Sequence, residues 1–477
     1  MDRLRPPLRV GLLLGIWLLA GCGSGRPPPP PREPEPVLHT EAQDRQAGEK
    51  GATEVAAEIG LLEDPALNAY VSQIGQRLAR NAPSGRFQYS FQVVDQDAPN
   101  AFALPGGFVF VSRGLLALSN SEDELANVLG HEIVHVARRH AAGRQSILRD
   151  LPAIFQYIAM GQVAAYSRDQ ERESDRLGQG LAAVSGYDPA GLASFLRDLE
   201  YTERLRLGFS RVPGFFDTHP ATSERVAAAG ARARTIRWTP QPGVARTRED
   251  YLRRLDGLVI GTGATEGVVQ RDRFLHPEMD FSLRFPAGWD VINTRQAVGA
   301  VSPRRDAQVV LELQGSGSDP EQASVEFLEK AESQGLRVER SMPVRIGEFP
   351  GFRVEGRAST PLAPLGVHLT WIVRDGTVYR ITGVAVGSAG RLEGVFHSVP
   401  RSFRPLTPRE RRSIRETRLR IVPAGEGESL AEISRRSGNA WDIQQTAVVN
   451  GVFADARFRQ GELVKVAISQ PYRSSQR

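Results

Sequence analysis

Two histidines and a glutamate, in His131-Glu132-Ile133-Val134-His135, are spaced for chemistry on a metal ion. Successive residues of a helix turn by about 100°, so His131 and His135 differ by only about 40° and lie about 6 Å apart along the axis. Two imidazoles on one helix face can grip one ion. Glu132 points between that face and the next, beside the ion rather than on it. There it suits a base acting on a water molecule held at the metal. The chemistry implied is metal-assisted hydrolysis. A helix that merely packs or exposes two histidines carries the same five letters, so the rest of the chain must decide.

The helix itself is predicted from its start and its periodicity. Ser121 and Glu124 have the spacing of a capping box, and Leu125, Val128, Leu129, Ile133 and Val136 recur at helical spacing. Upstream, residues 41–81 read as two helices broken at Gly60 and Pro65. Phe87 to Val94 alternates as a strand. Asn100 to Gly107, followed by Phe108 to Val111, reads as a hairpin turning at Pro105-Gly106-Gly107. A strand beside the active helix offers its edge to an extended peptide; an ordinary core hairpin has the same pattern. Downstream, Ser167 to Asp175 supplies candidates for a third ligand. His140, five residues after His135, falls off the metal face if the helix continues, and reads as structural or exposed.

Three motifs stand in order: His131-Glu-x-x-His135, Ser167-Arg168-x-x-Glu171-x-x-x-Asp175, and Thr218-His219-Pro220-x-x-x-x-Arg225. Together they resemble the M48 metallopeptidases over about residues 45–230, closest to the periplasmic, soluble branch that handles outer-membrane proteins. The resemblance implies a gluzincin site: one Zn2+ per chain held by His131, His135 and Glu171, with Glu132 as the catalytic base. Asp175 would fix the tautomer of a ligand histidine. Glu173 competes as the third ligand, but its offset turns it away from the face shared by Glu171 and Asp175. His219 reads either as a regulatory fourth ligand that closes the site or as a helix-capping histidine beside Pro220. The sequence departs from the family at Ser174, where alanine usually precedes the aspartate, and in the 35 residues between His135 and Glu171, a short span for this branch.

The N-terminus reads as an address. Arg3, Arg5 and Arg9 precede an apolar run from Val10 to Ala20, too short to span a bilayer comfortably. The run ends Leu19-Ala20-Gly21-Cys22, which resembles the bacterial lipobox. That implies a signal peptide at 1–21, lipidation of Cys22 and attachment to a membrane through it. Gly23 rather than aspartate follows the cysteine, which points to the outer membrane, facing the periplasm. Residues 22–40 form a proline-rich tether. Cys22 is the one cysteine of the sequence, so an intramolecular disulfide is excluded. The formal net charge of +5 falls to +3 once residues 1–21, with three arginines and one aspartate, are removed. No basic stripe with interleaved aromatics is present, so no nucleic-acid partner is expected.

With 477 residues the chain has room for about two to four domains. The expected fold is multidomain. A mainly helical zincin-type metalloprotease domain spans 41–238 and a connector 239–275. An α+β domain follows at 276–405, a charged helical linker at 406–418, and a small βααβ domain at 419–468. The α+β domain is read from strands near Phe281–Phe285, Val309–Leu313, Val354–Gly356, Val367–Val373 and Val378–Val384, and from a helix over Pro320–Gln334. Its Phe285-Pro286-Ala287-Gly288-Trp289 opening weakly resembles the PsbP-like fold. His276, His368 and His397 are scattered through it and are assigned no chemistry. The last segment resembles a LysM module through Gly427-Glu428-Ser429-Leu430, Ile433, Asn450-Gly451 and Gly461–Val466, which implies peptidoglycan as a partner.

The reading as a whole is a zinc-dependent endopeptidase of the cell envelope acting on misfolded or unassembled outer-membrane or periplasmic proteins. The alternative is a lipid- and wall-tethered chaperone or assembly-binding lipoprotein with weak or no proteolysis. A protease with several membrane spans is disfavoured, because the internal apolar run Leu151–Tyr166 is short and interrupted by Pro152, Gln156 and Gln162.

Overall fold

The computed structural model describes residues 40–83, 87–140, 167–205, 219, 223–295, 297–359, 363–387 and 392–473. The signal peptide, Cys22, the tether up to residue 39, the run Leu151–Tyr166, Thr218 and Pro220 lie outside the described residues. Among the described residues, one compact unit is drawn from Arg32–Thr262 and Glu416–Gln470, the other from Gly263–Arg415 and Pro471–Arg477. Among them, no helix is long and apolar enough to cross a membrane.

The first unit begins with α1 (Glu41–Glu58), whose N-cap Thr40 forms a capping box with Gln43. Gly60, at φ +89°, turns the chain where a side chain would be strained. Asp64 then caps α2 (Pro65–Ala79), accepting from the Leu67 N–H, with Pro65 at the position that needs no donor. β1 (Ser90–Val94), β2 (Ala101–Leu104) and β3 (Phe108–Ser112) form a sheet in the order β1-β3-β2. β2 and β3 are antiparallel, joined through Pro105–Gly107, while β1 runs parallel to β3. The hairpin turn therefore sits where the sequence puts it, with Gly106 and Gly107 both at positive φ. Helices follow: α3 (Arg113–Leu118), α4 (Glu122–Ala137), α5 (Arg168–Val184), α6 (Gly191–Leu205), α7 (Ser223–Ala233) and α8 (Arg248–Arg254), then the short strand β4 (Val259–Ile260).

α4 runs through the middle of the core. Leu125, Val128, Leu129 and Ile133 are fully buried against residues of α2, β3 and α3, each burial contributing about 1.5–3 kcal/mol. Its start differs in one detail from the expected capping box. Ser121 accepts from the Glu124 N–H, but the Glu124 carboxylate reaches back one residue further, to the Asn120 N–H at 2.6 Å.

The second unit holds β5 (Val268–Gln270), β6 (Arg273–His276), β7 (Phe281–Arg284), β8 (Asp290–Asn293), β9 (Ala297–Val301) and β10 (Ala307–Ser316). It continues with α9 (Gln322–Ser333), β11 (Leu336–Ile346), β12 (Phe349–Ser359), β13 (Pro364–Arg374) and β14 (Thr377–Val386). α10 (Glu393–Arg401), β15 (Arg404–Pro405) and α11 (Pro408–Ser413) close it. Seven strands form an antiparallel sheet in the order β11-β12-β13-β14-β10-β9-β8, and four form a smaller one in the order β15-β7-β6-β5. The α+β texture is as expected; β8, β9, β11 and α10 were not read from the sequence.

The chain then returns to the first unit through β16 (Arg415–Pro423), α12 (Leu430–Ser437), α13 (Ile443–Val449) and β17 (Leu463–Pro471). Within the stretch 406–418, helix occupies Pro408–Ser413 and a strand begins at Arg415. β16 lies between β17 and β4, pairing Thr417 with Ile260 and Arg418 with Val259. Leu419 and Leu463 join the same core as α4. Lys465, fully buried, donates to the carbonyls of Ala117, Leu118 and Ser119 at 2.9, 3.0 and 2.8 Å. The strand–helix–helix–strand segment is thus built into the first unit rather than strung after it.

Candidate metal centre

Two glycines decide how close the ligand helices come. A Cβ on Gly178 would lie 2.8 Å from the backbone nitrogen of His131, and one on Gly130 would lie 2.9 Å from the carbonyl oxygen of Gly178. α4 and α5 therefore touch backbone to backbone. That contact carries Glu171, seven residues before Gly178 on α5, over the two histidines of α4.

His131, His135, Glu171 and His219 are all buried and offer ligand atoms within 4.8 Å of one another. His131 Nε2 is 2.9 Å from His135 Nε2 and 3.3 Å from His219 Nδ1. Glu171 Oε1 is 2.9 Å from His219 Nδ1 and 3.4 Å from His135 Nε2, and its Oε2 is 3.6 Å from His131 Nε2. Glu132 is fully buried beside this cluster. Among the described residues neither of its carboxylate oxygens accepts a hydrogen bond, and Oε1 faces His219 Nε2 at 3.5 Å. Buried imidazoles and a carboxylate that converge, next to a second buried carboxylate, fit a divalent ion of the borderline class.

A second ring of groups fixes the first. Asp175 Oδ1 lies 3.0 Å from His131 Nδ1, which turns Nε2 toward the cluster. Arg225, on α7, forks onto Asp175 at 2.7 and 2.8 Å, reaches Glu171 Oε2 at 2.8 Å and donates to the His219 carbonyl at 3.3 Å. One guanidinium thus ties two helices and the His219 backbone together. Replacing Arg225 with methionine is expected to weaken metal binding about 10- to 100-fold, the usual cost of losing such a support; chelator competition measures it.

Two residues take places that the sequence reading did not give them. α4 ends at Ala137, and Arg139 adopts φ +55°. The chain turns there, so His140 stays outside the ligand cluster, as its spacing predicts, yet folds back against His135. His140 is buried, with Nδ1 3.0 Å from His135 Nδ1. Glu173, the competing ligand, instead lies 3.4 Å from His140 Nε2 and pairs with Arg138. No sequence signal marks the turn at Arg139. Arg225 stood in the third motif, but its two carboxylate partners were not legible.

The charges follow this geometry. Burial raises the Glu132 pKa, leaving its carboxylate readier to accept a proton. Burial opposes ionisation of Glu171 too, but His219 and His131 overcome it and hold the pKa far below the usual range. The Asp175 pKa, which burial alone would raise, is held at about 2 by its bonds to Arg225 and His131. Burial keeps His135 neutral, its pKa well below the ordinary value. A neutral imidazole and an ionised carboxylate are the forms that ligate metal.

The profile described as peptidase family M48 matches residues 65–165 and 150–233. The chain is 29% identical over 235 residues to the beta-barrel assembly-enhancing protease of Yersinia pestis, covering 44% of this chain and 47% of that one. It is 29% identical over 234 residues to the protein of that name in Escherichia coli K12, with coverage of 44% and 47%. The mitochondrial metalloendopeptidase OMA1 of Schizosaccharomyces pombe is 28% identical over 196 residues, covering 38% and 56%. The chain spans about half the length of the curated relatives it matches. Of solved structures, a cyanobacterial PsbP from Synechocystis is 12% identical and covers 31% of this chain and 98% of its own, at a TM-score of 0.25. At that score the likeness does not fix the fold of residues 276–405. Residues 65–233, which hold the buried cluster, are thus similar to peptidase family M48.

Proposed function

We propose that the protein is a zinc endopeptidase of the bacterial cell envelope, cleaving misfolded or unassembled outer-membrane and periplasmic proteins. The observation that carries the reading is the buried cluster of His131, His135 and Glu171 with the Glu132 carboxylate beside it. A bound Zn2+ supplies Lewis acidity, polarising the scissile carbonyl and lowering the pKa of water in the site. Glu132 takes the proton from the attacking water and delivers it to the leaving amine. Asp175 and His140 hold the two imidazoles in place, and Arg225 ties Glu171 to Asp175. β2, at the edge of its sheet and packed near α4, offers a rail for an extended substrate. The names of the bacterial relatives support the substrate class. The test is digestion of an unfolded β-barrel protein by wild type and by Glu132→Gln, with a chelator control. Digestion by neither would leave the chaperone reading.

His219 bears on how the site is controlled. Its Nδ1 lies at the ligand cluster and its Nε2 faces Glu132. One imidazole thereby occupies both the place a water would take and the approach to the base. His219→Ala is expected to raise the turnover of an unfolded substrate severalfold, read in the same assay; unchanged or lower turnover counts against a plug.

The address and the tail complete the proposal. Lipidation at Cys22 would hold the enzyme on the outer membrane, facing the periplasm. Residues 419–468 would bind peptidoglycan, a reading supported by their strand–helix–helix–strand order and by a cleft lined by Gly425, Glu428, Arg436, Arg457 and Gln460.

A further inference from the structure

A second convergence of ligand atoms lies in the other compact unit, among residues far apart in sequence. Glu355 on β12 and His368 on β13 are register partners, so their side chains share one face of the seven-stranded sheet. α10 crosses that face and brings His397. The helix can approach because the next strand offers glycine there. Gly383 on β14 pairs with His368, and a Cβ on it would lie 2.4 Å from the Phe396 ring. Phe396 stacks beside His368 at 5.0 Å between ring centres, and His397 follows at 5.6 Å.

The three side chains offer ligand atoms within 4.8 Å of one another. Glu355 Oε1 is 2.9 Å from His397 Nε2 and 4.0 Å from His368 Nδ1. Those distances bracket the edge of roughly 3.4 Å expected of a tetrahedron with bonds of about 2.1 Å. His368 is only 9% exposed, and among the described residues its Nδ1 has no hydrogen-bond partner although it faces the carboxylate. A buried acceptor or donor left unused costs stability unless something fills the gap. Arg340 engages the other oxygen, Oε2, at 3.3 Å, which leaves Oε1 for an ion. His397 is the most open of the three, at 21% side-chain exposure, and gives a way in and a fourth position for water. By contrast, His276 is satisfied locally, accepting from the Met279 N–H at 3.2 Å.

We propose that Glu355, His368 and His397 form a second metal site, taking one divalent ion of the zinc class and pinning α10 to the sheet. Two imidazoles and one carboxylate are a donor set suited to zinc rather than to calcium or magnesium, which prefer all-oxygen shells. This site does not depend on the peptidase reading.

The test is zinc stoichiometry of the full-length protein after dialysis against buffered zinc, by elemental analysis. Wild type and Glu132→Gln are expected to hold two equivalents, and Glu355→Gln and His397→Gln one. Circular dichroism checks that each variant is folded. If either variant unfolds, cobalt(II) titration of wild type decides: visible bands of a four-coordinate site are expected to grow up to two equivalents. Zinc content that both substitutions leave at the wild-type value overturns the proposal; a single wild-type equivalent that both substitutions remove instead counts against the centre at His131, His135 and Glu171.

Discussion

Replacing Glu132 with glutamine is expected to lower cleavage by about 10²- to 10⁴-fold, the range that positioned proton transfer contributes, while metal content stays unchanged. Glutamine keeps the shape of the side chain but cannot take a proton from water. The fold should tolerate the change well. Among the described residues neither oxygen of Glu132 accepts a hydrogen bond, so no bond to them is lost, and a carboxyl whose ionisation burial disfavours is replaced by a neutral group. The melting temperature is therefore expected to stay level or rise. The measurement is a peptide-cleavage rate beside elemental analysis of the same sample. Cleavage at the wild-type rate would remove Glu132 from the role of base.

Replacing Lys465 with methionine should be among the most destabilising single changes in the chain, by about 3–5 kcal/mol, the cost of removing one partner from a buried charged set. The ammonium has three N–H bonds and gives them to three consecutive carbonyls, of Ala117, Leu118 and Ser119, at the end of α3. That end carries the negative pole of the helix. Burial pulls the Lys465 pKa down, and Glu124 opposes it. Methionine fills similar space but leaves those carbonyls without their charged donor. The measurement is a urea unfolding midpoint at neutral pH. A midpoint within error of wild type would mean that water replaces the lysine.

What the sequence revealed and what it hid follow a physical division. α4 was legible because its cap and its apolar face are local features of one helix. Glu171 and Asp175 were legible through a motif, because four residues on a helix place them together whatever the rest does. His140 lies outside the ligand cluster, as its spacing predicts, but its contact with His135 was hidden because a single residue at positive φ, Arg139, ends the helical periodicity there. His219 was legible only through its motif, while the carboxylate partners of Arg225 and the glycine contact of Gly130 with Gly178 join segments whose approach no local pattern encodes. In the second unit β11 was missed because nearly every residue between its buried ends is at least partly exposed and several are charged, so no apolar alternation marks it. Glu355, His368 and His397 looked scattered because strand register, not spacing, brings them together. Lys465 looked like a surface residue of a small module; its burial needs the three carbonyls that receive it.

The first unit is sewn from two stretches of chain, with Leu419 and Leu463 in the core that supports α4. A ribosome releases residues 416–470 only after all of 263–415. At about 5–20 residues per second, the wait between residue 262 and residue 470 is roughly 10–40 s. During that wait the ligand motifs already exist, but the core beneath them is incomplete. The hydrolytic centre therefore matures only once residue 470 has emerged, and a chain without residues 416–470 carries the letters of an active site without the scaffold that holds it.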